Sequence, residues 1–327
     1  MGVAGLWGLL TPCYENIDCL SSLKEDYGVS LLAVDLSIWV VEAIHALRYV
    51  RKGGITENAF LLSIFYKVRK LNTSGIQVVG VIDSDTPNAL KVKQRIRQGK
   101  GSITYNTFNR QLDLAAQLLR CLGVKVLKSK GEAEALCAAL NHENVCDGVI
   151  TQDSDVFLFG AKTVIRDLKL NDRKKPGDVG IGKIYHMDKI KATIGLDHMG
   201  LISLSLFAGS DFTKGIEGVG CKKALPFIKY LNENYVDGDT DDMTLILSAW
   251  SEKMKRRENE NILEVEEVRM WGKIMKSNTE SNGSVSLFPD IKAINEYRQS
   301  VSKEIESLSS LLARHFKQKR PDLEGFF

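Results

Sequence analysis

Between residues 30 and 168, short β-branched apolar runs alternate with longer stretches of helical period, and few folds accommodate that alternation. The apolar runs are SLLAVDLS (30–37), IQVVGVID (76–83), GVKVLKS (123–129), DGVITQD (147–153) and KTVIRDL (162–168). Each is bounded by turn residues and is apolar enough to be buried on both faces, which predicts strands of a mostly parallel sheet. The intervening segments 38–50, 57–72, 88–98, 106–121 and 132–141 predict helices. Alternating elements of this kind give an α/β fold, a Rossmann-like sheet with helices on both faces. From about residue 185 the pattern turns helical: 187–195, 197–207, 220–232, 243–275 and 302–318. YVDGDTDD (235–242) reads as a loop and SNTESNGS (277–284) as a flexible link.

Several function classes lose support at this level. The 327 residues hold no apolar stretch long enough to span a membrane. MGVAGLWGLL lacks the basic segment of a secretion signal, and Leu6 stands where a myristoylation signal needs Ser or Thr. The six cysteines form no C-x-x-C pair and are expected as reduced thiols of an intracellular protein. The five histidines form no H-x-x-x-H pair, which leaves a zinc hydrolase without ligands. GDVGIGKI (177–184) falls short of a phosphate loop, because Ile184 replaces the required hydroxyl and a polar run precedes it. No G-x-G-x-x-G follows the first strand, so a dinucleotide site is not supported.

The acids have a pattern of their own. Asp35 ends LLAVD, Asp83 ends VVGVID, and Asp153 and Asp155 follow GVIT. Glu132 and Glu134 open the helix of GEAEAL, and Asp211 follows an apolar helix in AGSDF. These seven fall mostly on the carboxyl edge of the expected sheet, where ligands of doubly wound folds bind. Simpler readings stand beside this one: Glu132 and Glu134 suit a positive helix start, and Asp35 suits an N-cap. Asp85 and Asp178 read as loop acids. The D-x-D at 153 and 155 resists such readings. If it continues a strand, both carboxylates point to one side and repel unless a cation lies between them. Converging carboxylates without His or Cys favour Mg2+ or Mn2+ over zinc. Such a set is able to hold two ions about 4 Å apart, the geometry that serves phosphodiester cleavage.

Basic segments supply a second theme, although the net charge is only +3. In GIEGVGCKKAL (215–225), Gly218 and Gly220 flank Val219 before a helix that begins with Lys222 and Lys223. This reads either as an ordinary glycine-rich helix entry or as a helix-hairpin-helix clamp on a duplex backbone. LKVKQRIRQGK (90–100) carries Lys91, Lys93, Arg95, Arg97 and Lys100 without an acid, and reads as a solvated helix or a phosphate-steering one. KMKRR (253–257) and RHFKQKR (314–320) read as solvated faces, a DNA rim or nuclear-import patches. GLWGLL reads as a packed helix or a wedge against a base pair.

Taken together, MGVAGLWGLL, AVDLSIW, GEAEALCAAL, TQDSDVFLFGAKTVIRD and AGSDFTKGIEGVGCKKAL resemble the flap-endonuclease/XPG family of structure-specific 5′ nucleases over residues 1–232. LFPDIKAINEY (287–297) is a fainter echo. The resemblance implies a PIN-like core with two Mg2+ ions, replaceable by Mn2+, held by Asp35, Asp83, Glu132, Glu134, Asp153, Asp155 and Asp211. It implies Lys91 and either Arg95 or Arg97 at the scissile phosphate, Gly2 beside the metals, and Lys93, Gly218, Gly220, Lys222 and Lys223 on DNA. It divides the chain into an N-terminal half of the core (1–98), a short arch segment and core helix (99–130), an internal half with the hairpin (131–232) and a helical extension (233–327). The short spacer between LKVKQRIRQ and GEAEA, and GEAEALCAAL itself, are most similar to the GEN-type branch that resolves Holliday junctions.

The implied activity is hydrolysis at branched DNA, either 5′ flaps or four-way junctions, in repair or recombination within the nucleus. Two copies are expected to pair on a four-way junction. RPDLEGFF (320–327) resembles a sliding-clamp box with Arg320 in place of its glutamine. The alternatives are a flap or XPG-like endonuclease without junction resolution, and a non-catalytic nucleic-acid-binding scaffold on the same fold.

Overall fold

Seven strands form one sheet: β1 (Tyr14–Ile17), β2 (Leu31–Asp35), β3 (Gln77–Ile82), β4 (Lys125–Lys128), β5 (Gly148–Ile150), β6 (Thr163–Arg166) and β7 (Gly182–His186). The computed structural model describes residues 2–50, 58–85, 105–170, 180–235, 242–256, 265–279 and 288–315. Strand order is β1-β7-β6-β5-β2-β3-β4. The β6-β5-β2-β3-β4 stretch is parallel throughout, and β7 runs antiparallel to both β6 and β1. All five expected strands are present. The additional pair, β1 and β7, escapes a pattern search because both are short and mix charged with apolar residues. Lys183 of β7 lies over the Tyr14 ring, 5.0 Å from its centroid, so its stem covers apolar surface while its charge stays outside.

The helices are α1 (Leu6–Leu9), α2 (Leu20–Glu25), α3 (Leu36–Val50), α4 (Ala59–Thr73), α5 (Tyr105–Cys121), α6 (Ala133–His142), α7 (Asp155–Leu158), α8 (Met187–Ile194), α9 (His198–Ala208), α10 (Cys221–Tyr235), α11 (Met243–Arg256), α12 (Val265–Thr279) and α13 (Ile291–His315). Two expectations need correction. The C-terminal helix begins at Ile291 rather than 302, capped where Asp290 Oδ1 accepts the Lys292 N–H at 3.2 Å. SNTESNGS, expected as a link, opens inside α12. The expected helix 88–98 and the C-terminal RPDLEGFF lie outside the described residues. Among the described residues no helix is long and apolar enough to cross a membrane.

The sheet separates two apolar layers, and strand residues alternate between them as their period of two requires. Leu32, Val34, Val78, Ile150 and Ile165 face the layer of α2, α3, α4 and α5. Ala33, Val79, Val81, Val149 and Val164 face α6, α7, α9 and the later helices. Helix α6 is buried from Ala133 to Asn141, with the sheet on one side and α13 packed along it on the other. This explains why ALCAAL is apolar all round rather than striped.

His198, at the start of α9, is largely enclosed, and burial holds its pKa below the ordinary histidine range. One ring nitrogen, Nε2, lies 2.7 Å from the Leu158 carbonyl, which fixes the neutral tautomer that carries its proton there. A folded-state pKa below the unfolded value means that the unfolded chain binds more protons, so stability is lost as pH falls through the histidine range. The melting temperature is expected to drop between pH 7.5 and pH 5.5, and His198→Gln to flatten that slope. Differential scanning fluorimetry across this range measures both.

Candidate active site

The chain leaves β2 toward β3 and β4 on one side and returns to β5 and β6 on the other. Strand order therefore reverses between β2 and β5, which opens a crevice at their carboxyl ends. Asp35 is the last residue of β2. It lies opposite Val81, two residues before Asp83, and its neighbour Val34 lies opposite Ile150, three residues before Asp153. Parallel pairing thus delivers acids from three consecutive strands to one edge.

Each acid is held there. Asp35 Oδ1 accepts the Ser37 N–H at 2.8 Å, so the N-cap reading and the edge position hold at once. Asp83 reaches across the sheet edge, and its Oδ1 accepts the Ala133 N–H of α6 at 2.7 Å. Glu132 is the residue before that helix and Glu134 lies in its first turn. The D-x-D is not on a strand, contrary to the period-two reading, because β5 ends at Ile150 and Asp155 opens the single-turn helix α7. The turn is closed by the Asp155 N–H, which donates to Asp153 Oδ1 at 3.1 Å. Four acids are buried: Asp35 at 6% exposure, Glu134 at 8%, Asp153 at 5% and Asp155 at 2%.

Two sets emerge from what the acids act upon. The buried Cys137 thiol of α6 is pushed well above the ordinary thiol range, first by burial and then by the charges of Asp35, Cys146, Glu134 and Asp83. The Tyr297 hydroxyl is likewise raised, first by burial and then by Asp155, with Asp211 adding to it. Asp35, Asp83 and Glu134 therefore bear on one buried group, and Asp155 and Asp211 on another. Among the described residues no three His, Cys, Asp or Glu side chains already form a closed metal-ligand group. The donor set is nevertheless all oxygen, which suits a hard divalent cation.

Gly2 sits against the D-x-D loop. Its φ is +82°, and a Cβ there would meet Asp153 Oδ1, lie 2.6 Å from Ser154 Oγ and lie 2.8 Å from Asp155 Oδ1. The cradle admits a glycine and no side chain, which keeps the space beside these oxygens open. The Val3 N–H donates to Ser154 Oγ at 3.0 Å and locks the N-terminal segment in place. Trp7 packs against Phe157 and Tyr185, donates to the Gln152 carbonyl at 3.0 Å and lies under Arg166. The packed-helix reading of GLWGLL holds.

Helices α9 and α10 pack together and are joined by a closed loop in which the Ile216 N–H returns to the Phe207 carbonyl at 2.7 Å. Ile216 and Val219 are buried while Gly218, Gly220, Lys222 and Lys223 are exposed. The glycine backbone and both lysines are thus exposed at a helix start, where backbone N–H groups are able to meet an anion. Lys223 Nζ donates to the Gly218 carbonyl at 2.9 Å. Cys221 Sγ lies 3.2 Å from the Ala4 carbonyl and ties this hairpin to the N-terminal segment.

Lys91, Lys93, Arg95 and Arg97 lie outside the described residues. Three site neighbours were not singled out from the sequence: Ser154, Tyr297 and Glu304. Only Tyr297 carried a signal, as the last residue of LFPDIKAINEY.

Residues 1–101 match the XPG N-terminal domain and residues 123–211 match the XPG I-region. The chain is 35% identical over 257 residues to flap endonuclease GEN-like 1 of Arabidopsis thaliana, covering 72% of this chain and 40% of that protein. It therefore spans well under half the length of this curated relative. Its fold is similar to the catalytic core of Rad2 solved in complex with DNA substrate, with a TM-score of 0.67 and 27% identity, over 90% of this chain and 86% of that one. It is similar as well to human GEN1 in complex with Holliday junction DNA, with a TM-score of 0.65 and 28% identity, over 90% of this chain and 66% of that one. The sheet and its flanking helices are those of these PIN-like cores.

Gly2→Ala is expected to expel the N-terminal segment from the D-x-D loop. A left-handed backbone costs a side-chain-bearing residue about 1–2 kcal/mol before any clash with Asp153 is counted. Amide exchange at Val3, protected by Ser154, should accelerate by about tenfold or more, since about 1.4 kcal/mol is a factor of ten. Hydrogen-exchange NMR or mass spectrometry reads this directly, and unchanged protection would rule out the strained contact.

Proposed function

We propose, from the premise that this chain belongs to the XPG family, that it is a divalent-cation-dependent endonuclease that hydrolyses phosphodiesters at branched DNA. The observation that carries the reading is the carboxylate edge at the β2/β5 switch point, with Gly2 keeping its oxygens clear. The likeness to proteins solved on DNA substrate and on a Holliday junction supports it.

Asp35, Asp83, Glu132, Glu134, Asp153, Asp155 and Asp211 would hold two Mg2+ ions, with Mn2+ as a substitute. When bound, the ions would supply water activation and stabilisation of the leaving oxygen. The chain's own residues do the remaining work. The hairpin at Gly218 and Gly220, with Lys222 and Lys223, grips the duplex through its backbone and reads no sequence. Lys91, with Arg95 or Arg97, contacts the scissile phosphate, and Lys93 steers the strand toward it. Segments 1–98 and 131–232 form the two halves of the nuclease core, joined by 99–130, and 233–327 extends it.

On a four-way junction two copies would cut symmetrically, as expected of the GEN-type branch. The likeness to the Rad2 core favours a second reading, flap or bubble cleavage by one copy. A non-catalytic scaffold is disfavoured because all seven acidic positions are filled. The expected location is the nucleus, which holds such DNA in the plants and animals that carry these relatives. RPDLEGFF is a candidate contact for a sliding clamp.

Asp153→Ala is expected to lower cleavage by more than about a hundredfold, since even outer-sphere changes around a metal cost 10–100-fold. Binding to the same DNA in EDTA should persist. A panel of labelled 5′-flap, bubble, splayed-arm and four-way-junction DNA in Mg2+ separates the readings. Paired symmetric cuts support junction resolution, cleavage of flaps alone retires it, and full activity of the variant removes the metal assignment.

Replacing Lys222 and Lys223 together by Ala should weaken binding equally on unrelated sequences and lower the slope of log affinity against log salt by about 2, or about 1 per lost phosphate contact. Fluorescence anisotropy at several salt concentrations measures the slope.

A further inference from the structure

Helix α13 lies beyond both matched family regions, which end at residue 211, yet two of its side chains reach the loops that carry the acids. The Tyr297 hydroxyl, fully buried, donates to Asp155 Oδ2 at 3.1 Å. Its ring is wedged between Phe159, at the end of α7, and Phe212, next to Asp211, with centroid distances of 5.1 and 5.0 Å. Seven residues on, the buried Glu304 carboxylate accepts the backbone N–H of Lys130 at 2.6 Å and of Gly131 at 3.1 Å, immediately before Glu132. A separation of seven is about two helical turns, so both side chains leave the same face. That face lies along α6, whose first turn carries Glu134.

We infer that α13 is a positioning element of the acidic site, with Tyr297 orienting the Asp155 carboxylate and Glu304 fixing the loop that presents Glu132 and Glu134. The inference rests on the cation-dependent nuclease reading. A helix that served only to cover α6 would carry apolar residues along this face, as it does at Ala293, Ile294 and Leu308. At 297 and 304 it instead buries polar groups, which is costly unless they are aimed at partners. The partners are one proposed ligand, Asp155, and the backbone leading to two more, Glu132 and Glu134. Tying down one carboxylate oxygen would leave the other to serve a bound cation, the part played by groups just outside a metal's own ligands. Neither residue touches the reacting atoms.

The test uses the full chain with Tyr297→Phe, Glu304→Ala and Glu304→Gln. Three quantities are read: Mn2+ affinity by calorimetry without DNA, the Mg2+ concentration for half-maximal cleavage, and the melting temperature. Tyr297→Phe should weaken Mn2+ binding and raise the Mg2+ midpoint by about tenfold or more, with cleavage recovering at high Mg2+ and the chain still folded, its melting temperature lowered by no more than several degrees, as loss of one buried hydrogen bond requires. Glu304→Ala should do the same, and Glu304→Gln should restore both, because its amide oxygen still accepts the two N–H groups. Cation responses of Tyr297→Phe and Glu304→Ala equal to wild type overturn the inference. If Tyr297→Phe fails to fold, the Glu304 pair decides: a difference in cation affinity between Ala and Gln supports positioning, and equality overturns it. A wild-type chain that neither binds Mn2+ nor cleaves any branched substrate removes the nuclease reading itself, a result distinct from normal wild-type behaviour with indifferent variants.

Discussion

Asp35, Glu134, Asp153 and Asp155 are carboxylates buried within one crevice, and the rest of the molecule is arranged around keeping them there. Burying an ion costs several kcal/mol even after the protein relaxes. A hydrogen bond to a charged group returns about 1.5–3 kcal/mol. The Ser37 and Asp155 N–H groups and the Tyr297 hydroxyl each provide such a bond to one of these buried acids. Positive charge is the other source of compensation. A hard divalent cation among oxygen donors is the reading that uses all seven acids together.

The sheet makes that crevice through register alone. Parallel pairing sets the ends of β3, β2 and β5 side by side, and the reversal of strand order between β2 and β5 leaves the gap uncovered by a connection. Two apolar layers pack the sheet, so Asp35 is placed by β2 itself, while Asp83, exposed and one residue past β3, is held by the Ala133 N–H. Asp153 and Asp155 lie past the end of β5, and their shorter-range geometry comes from the turn into α7.

That turn is clasped from both directions along the chain. Val3 binds Ser154, Trp7 binds the Gln152 carbonyl, and Gly2 fits where no side chain would. Tyr297 binds Asp155 from the C-terminal helix. The N-terminal segment also touches Cys221 at the start of the exposed hairpin helix. A displacement of this segment would therefore reach both the acids and the surface proposed to grip DNA, which gives a physical route for coupling between them.

Much of this was legible in the residues themselves. Four parallel strands, β2, β3, β5 and β6, and the described helices between them follow from apolar periodicity, because a parallel strand covered on both faces has to be apolar along its length, while β4, at the sheet edge, keeps Lys125 and Lys128 exposed. The seven acids stood out as a set at the ends of elements, the D-x-D most of all because no helix-start or N-cap reading accounted for it, and the glycine-lysine hairpin stood out by composition. The antiparallel pair β1 and β7 did not, since short strands of mixed polarity take their stability from neighbours rather than from pattern. The D-x-D was legible as a pair but not in its geometry, because a strand and a four-residue loop (151–154) into a helix place i and i+2 differently. Tyr297 ends the segment LFPDIKAINEY, but its contact, like that of Glu304, was decided by tertiary structure. They lie 142 residues from Asp155 and 174 from Lys130, and nothing local to either position marks a contact made across that length of chain. Local sequence determined the elements and the identity of the acids, whose chemistry is intrinsic. Which oxygen faces the crevice, and what holds it there, depended on long-range packing, because orientation is a property of neighbours that only folding brings together.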